Sequence, residues 1–172
     1  MQFPPRVFHK EYKAINPLGT VPALVDGDVT LTESAGICQY LADRHGPTPL
    51  GVTKGEKDYG LYLNWLHRSD ATLTFPQTLV LRYTLLVPEE RRQPQVAADY
   101  PQWFLARWRS VESGLDGRDY LCADRFTMAD ITVGYALYLA RTLAIEEAFT
   151  PNVVNWWERI TSREAWRRAS EI

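Results

Sequence analysis

Apolar positions change their period partway along the chain. Ahead of about residue 46 they come in short runs: Val21 to Val25, then Val29 to Leu31, which read as two strands. Asp26-Gly27 between them supplies residues able to take positive φ in a two-residue hairpin loop. Ile37, Tyr40 and Leu41 then recur at i, i+3, i+4, predicting a helix from about Ser34 to Arg44 with Thr32-Glu33-Ser34 at its capped start. Asn16-Pro17-Leu18-Gly19 before the first strand reads as a turn, because Pro17 fixes φ and Gly19 tolerates angles closed to other residues.

Beyond the proline- and glycine-rich stretch Arg44 to Gly55, which ends the first unit and reads as a linker, only helical spacing remains. Tyr62, Trp65, Leu66 and Leu73 predict one long helix over Lys57 to about Leu86, which Pro76 should kink or interrupt. Phe104, Trp108, Val111 and Leu115 predict a second within Pro88 to about Gly117, its early part made doubtful by Pro94 and Pro101. Thr127 followed three residues later by Asp130 is a capping box with Asp in place of Glu, flanked by a staple pair, Phe126 and Ile131. The helix that follows, Ile131 to Leu143, is nearly uncharged until Arg141, as a helix enclosed by others should be. Val153 to Ile160 and Glu164 to Arg168 predict two shorter helices, with Thr161 and Glu164 as a second capping box. The division is therefore 1–46 as an incomplete α/β unit, 47–55 as linker and 56–172 as an all-helical domain.

Composition narrows the function classes. The 172 residues carry a net charge of −2 and 45% hydrophobic residues, so no broad basic surface is available for nucleic acid or anionic lipid. No apolar run reaches the ~18 residues of a membrane span, and MQFPPRVFHK lacks a signal-peptide core, so a cytoplasmic location is expected. Two cysteines, Cys38 and Cys122, and three scattered histidines form no disulfide framework and no metal-ligand spacing. Asp130 fits a structural cap better than a catalytic acid, and the late run Arg159, Arg163, Arg167, Arg168 fits a solvated helix face.

Pro22 is the residue that points to a ligand. Within a strand it removes a ladder hydrogen bond, so it belongs at an edge, a strand start or a cis bend. An edge beginning at Val21-Pro22 leaves the Val21 N–H and C=O for an extended peptide laid antiparallel beside it. The Glu33-Ser34 helix start offers amides and the positive dipole end to a carboxylate, while Glu33 can take an ammonium group. A plain helix cap accounts for Ser34 equally well on its own.

NPLGTVPAL, DG and LTESAGICQYL, together with Asp124-Arg125-Phe126-Thr127-Met128-Ala129-Asp130-Ile131, resemble the cytosolic glutathione transferase family over nearly the whole chain from about His9. The resemblance implies a truncated thioredoxin-like unit followed by a glutathione-transferase-type helical bundle domain, with a homodimer as the assembly. It implies a cis Val21-Pro22 peptide, backbone pairing of Val21 with the cysteinyl unit of glutathione, and Glu33 with Ser34 on the γ-glutamyl end. His9 and Lys10 stand where several members of the family place basic residues for the glycyl carboxylate, a solvated loop being the other reading. Glutathione is then the co-substrate, an apolar electrophile its partner, and some of Tyr62, Trp65, Tyr83, Trp108, Tyr135 and Tyr138 could line the electrophile pocket. A strand-helix unit of roughly 30 residues should precede Asn16, and Met1 to Lys13 has room only for a remnant of its last strand. The family's activating Tyr, Ser or Cys has no matching position, so the catalytic residue is unassigned and conjugation by this chain is expected to be impaired. A non-catalytic glutathione-binding protein and a helical interaction module of the same fold are the rival readings.

Overall fold

The computed structural model describes residues 5–145 and 149–171, in two compact units, 1–51 and 52–172. In the first unit, α1 (Pro5–Phe8) and a 3₁₀ turn (Lys10–Ala14) lead into the Asn16 turn. The expected strand remnant over Phe3 to Phe8 is not formed: Pro5–Phe8 is a helical turn, and Phe3 lies outside the described residues. Proline at the first position of a helix loses no bond, whereas in a strand it would.

β1 (Leu24–Asp26) and β2 (Val29–Leu31) pair antiparallel, with Leu24 opposite Leu31, Val25 opposite Thr30 and Asp26 opposite Val29. Two sequence expectations are corrected here. The strand starts at Leu24, because Pro22 has no N–H to give a ladder, so Val21 and Pro22 sit ahead of it. The loop is Gly27-Asp28, one residue later than expected; Gly27 has φ +58° and Asp28 does not share the positive sign, the pattern of a type II′ turn. The helix α2 (Ser34–Arg44) follows. Tyr40 on it donates to Asp26 Oδ2 at 2.8 Å, which ties the hairpin turn to the helix and raises the tyrosine's pKa.

The second unit is helical throughout. α3 (Tyr59–Arg68) passes through a π stretch, Ser69–Thr74, into α4 (Phe75–Leu81) and a second π stretch, Arg82–Leu86. Pro76 explains the interruption: it offers no N–H to the turn before it, and the wider π turns absorb the mismatch. Gln77, fully buried, donates to Leu73 O at 3.0 Å and Ala136 O at 2.9 Å, binding this segment to a helix 59 residues away. After a 3₁₀ turn at Glu89–Arg91, α5 (Pro94–Gly114) begins on Pro94 and continues through Pro101. Phe104, Trp108 and Val111 from it, with Leu115 just beyond, form a buried stripe, each such side chain stabilising the fold by about 1.5–3 kcal/mol.

α6 (Met128–Thr142) is the enclosed helix: α3 packs on it, and its exposed residues are Tyr135, Tyr138, Arg141 and Thr142. Its capping box is formed, with Ala129 N–H donating to Thr127 Oγ1 at 3.3 Å and Thr127 N–H to Asp130 Oδ2 at 2.9 Å. α7 (Pro151–Thr161) buries Val153, Trp156 and Ile160, and α8 (Glu164–Ser170) ends the described chain. The second expected box is absent. Thr161 closes α7 with its hydroxyl on Trp157 O at 2.8 Å, and the residue ahead of α8 is Arg163. Two arginines of the supposed solvated run are also engaged: Arg159 pairs with Asp119 at 2.7 Å, and Arg163 lies 3.9 Å over the Phe126 ring.

The loop before α6 is strapped to the residues before α3. Arg125 meets Glu56 at 2.7 Å, and Asp58 accepts from Ala123 N–H at 2.8 Å and Arg118 at 3.2 Å. The Arg125 guanidinium, then the Thr53 amide, hold the Glu56 carboxyl down at about 2. Because the folded value lies below the ordinary 4.5, this contribution is present above about pH 4.5 and is lost as pH falls toward 2. The stability gap between the native chain and Glu56→Gln should therefore be widest near neutrality and close over that window in denaturant titrations. A gap independent of pH would disprove the strap's ionic character.

Candidate functional site

The site residues read from the sequence all lie in the first unit. Val21 and Pro22 lead into β1, and Glu33 and Ser34 lead out of β2; since Leu24 faces Leu31, both pairs occupy the same open end of the hairpin. The Val21-Pro22 peptide is cis. Val21 and Glu33 are exposed and Ser34 is half-buried. Glu33, not Ser34, is the N-cap; its extended backbone starts the helix without a side-chain cap bond, and Ser34 is the first helical residue. The first turn-closing bond runs from Ile37 N–H to Glu33 O at 2.8 Å, so the amides of Ala35 and Gly36 stay outside the helical ladder. An anion brought to this end meets those amides and the positive end of the dipole. His9 and Lys10 stand at the start of the 3₁₀ turn, with His9 Nδ1 3.3 Å from Glu11 Oε1 and Lys10 exposed.

A network that the sequence reading missed lies beneath Val21. Asn16, with no exposed surface, donates to Thr20 O at 2.8 Å and Thr20 Oγ1 at 3.1 Å, and accepts from Leu18 N–H at 3.0 Å. The buried Tyr12 hydroxyl donates to the same Thr20 O at 2.8 Å. Asn16 opening a Pro-Gly turn was the available signal, since Asn side chains bond the backbone two residues on; nothing local marked Tyr12.

The aromatics considered for an electrophile pocket differ in burial. Tyr62, Trp65 and Trp108 are core, Tyr83 is half-buried, and Tyr135 and Tyr138 are exposed. Two open depressions, of about 420 and 240 Å³, are lined instead by polar residues that include Arg118 and Asp124 in both. Burial pushes the Cys122 thiol up to about 11, which makes it a poor nucleophile at neutral pH. Among the described residues no group of three or more His, Cys, Asp or Glu could hold a metal ion, and no helix is long and apolar enough to cross a membrane.

A small α/β unit presenting an exposed backbone edge beside a helix N-terminus, joined in one chain to an all-helical unit, defines the class, and comparison with known proteins gives the family. Residues 3–49 match the glutathione S-transferase N-terminal domain and residues 81–164 the glutathione S-transferase C-terminal domain. Glutathione S-transferase F10 of Arabidopsis thaliana is 30% identical over 169 residues, covering 93% of this chain and 77% of the relative. Glutathione S-transferase 3 of Zea mays is 32% identical over 170 residues, covering 93% and 75%. Among solved structures, the ternary complex of BphK, a bacterial GST, has a TM-score of 0.81 at 25% identity, covering 94% of this chain and 80% of that one. Ure2p5 from Phanerochaete chrysosporium, cocrystallized with 1-(S-glutathionyl)-2,4-dinitrobenzene, has a TM-score of 0.82 at 24% identity, covering 95% and 79%, and shares the fold. The chain belongs to the glutathione S-transferase family, with a thioredoxin-like first unit and a helical second unit.

Proposed function

We propose that this chain binds glutathione at the open end of its hairpin and presents the thiolate to an apolar electrophile. The observation that carries the reading is the placement of the Val21 backbone and the α2 start, Glu33-Ser34, at one end of the β1–β2 ladder. A peptide unit pairs with the first and an α-amino acid head with the second. His9 and Lys10 take the glycyl carboxylate. Conjugation requires a thiolate, the nucleophilic form of the sulfur, and an acceptor carbon with a leaving group; the group that stabilises the thiolate is unassigned. The reading includes a homodimer in the cytoplasm, with no metal.

Calorimetric titration with glutathione, followed by an assay of conjugation to an aryl halide, tests the reading. Saturable binding with turnover supports it, and no binding at millimolar glutathione overturns it. Binding without turnover selects the second reading, a glutathione-binding protein without transferase chemistry. That reading draws support from Tyr12, whose buried hydroxyl is committed to Thr20 O and is not offered to a thiolate. The homodimer is checked separately: light scattering at micromolar concentration should give twice the 19.8 kDa chain mass, and a monomer mass rules it out.

A further inference from the structure

We infer that Asn16 and Tyr12 are positioning residues that aim the Val21 N–H at the cysteinyl carbonyl of glutathione; this rests on the binding reading above. Thr20 C=O and Val21 N–H belong to one peptide group, which is trans. In a trans peptide the carbonyl and the N–H point in opposite directions. The Thr20 carbonyl is held by two donors at 2.8 Å, the Tyr12 hydroxyl and the Asn16 amide. Both donors come from buried side chains, at 8% and 0% exposure, so neither swings away cheaply. The Asn16 side chain is itself fixed at a second point by Leu18 N–H and at a third by Thr20 Oγ1. Drawing the carbonyl toward this pair turns the Val21 N–H away from it.

That N–H has no backbone partner among the described residues, and Val21 is 46% exposed. A solvent-facing strand entry would ordinarily let this peptide plane rotate, because one dihedral on each side is soft. The two donors remove that freedom before any ligand arrives. The cost of ordering the peptide is then met on folding rather than on binding, which is how preorganisation raises affinity. Neither Asn16 nor Tyr12 needs to touch the ligand for this effect.

The test is a comparison of two ligands on three proteins: glutathione, and an analogue whose cysteinyl carbonyl is reduced to methylene, so that it cannot accept from Val21. Each is titrated calorimetrically into the native chain, Tyr12→Phe, and Tyr12→Phe with Asn16→Ser. Tyr12→Phe keeps the ring and removes one donor, so it should fold, and thermal unfolding verifies that; it carries the test should the double variant fail to fold. Glutathione affinity should fall about threefold in the single variant and about tenfold in the double, while the analogue's affinity is unchanged. A merely structural role would weaken both ligands alike, and that result, or no change for glutathione, overturns the inference. If the native chain binds the two ligands equally, glutathione binding stands and the positioning role falls. If it binds neither, the proposed function fails and takes this inference with it.

Discussion

Asp130→Ala should cost the protein about 3–5 kcal/mol of folding stability, the largest single effect expected in this chain. The carboxylate accepts from Thr127 N–H at 2.9 Å, Leu121 N–H at 3.1 Å, Trp156 Nε1–H at 2.9 Å and the Thr127 hydroxyl at 3.3 Å. Asp130, Thr127, Leu121 and Trp156 are all without exposed surface, so no water replaces the lost acceptor. Each buried donor left unsatisfied costs about 1–3 kcal/mol, and the three N–H groups do not add fully because they share one site. One effect works the other way. Burial pushes the Asp130 pKa up while its donors pull it back, so deleting the group also relieves a desolvated carboxyl. Asp130→Asn should fall between, because its amide nitrogen can only present a donor to one of the donors the carboxylate served. Urea unfolding of the three proteins measures the series; a loss under about 1 kcal/mol in the alanine variant would mean that the cap and the indole are held by something else.

Ser34→Ala should weaken glutathione binding by about tenfold to a hundredfold. Alanine is a good helix former and Ser34 is the first residue of α2, so the helix loses nothing in propensity. The hydroxyl, by contrast, would bond the charged γ-glutamyl end, and a hydrogen bond to a charged group contributes about 1.5–3 kcal/mol. The contrast between the two measurements is informative: Asp130→Ala acts on folding, Ser34→Ala on binding. Calorimetry on the Ser34 variant, with thermal unfolding alongside, reads both. Unchanged glutathione affinity would remove Ser34 from the site.

What could be read from the sequence was decided within about one helical turn or one tight loop. Thr127 and Asp130 are three residues apart, so their cap follows from helix geometry alone, and the enclosed character of α6 follows from thirteen residues, Ile131 to Leu143, with one charge. The turn at Asn16-Pro17-Leu18-Gly19 forms with Gly19 at φ +64° and its N–H on Asn16 O at 2.8 Å, as its residue types require. The hairpin was legible and its register was not. Asp26-Gly27 and Gly27-Asp28 both place a glycine where positive φ is needed, and the choice between them was made by pairing Leu24 with Leu31 and setting Asp26 against Tyr40 of α2. Likewise Thr161 and Glu164 have the spacing of a capping box, but the hydroxyl found a carbonyl of its own helix first.

The sequence by itself determined the hairpin, the helical character of the chain beyond it, the Thr127–Asp130 cap and the meeting of a Val-Pro step with a helix start. Only the tertiary structure decided that Asp130 also holds Trp156, 26 residues on, that Gln77 reaches Ala136 at 59, and that Arg125 reaches Glu56 at 69. It also decided that Tyr12 and Asn16 share the Thr20 carbonyl. The reason is physical: periodicity, caps and turns are set by the few neighbours a residue cannot avoid. A long-range partner is set by which surfaces exclude water together, and no local spacing records that.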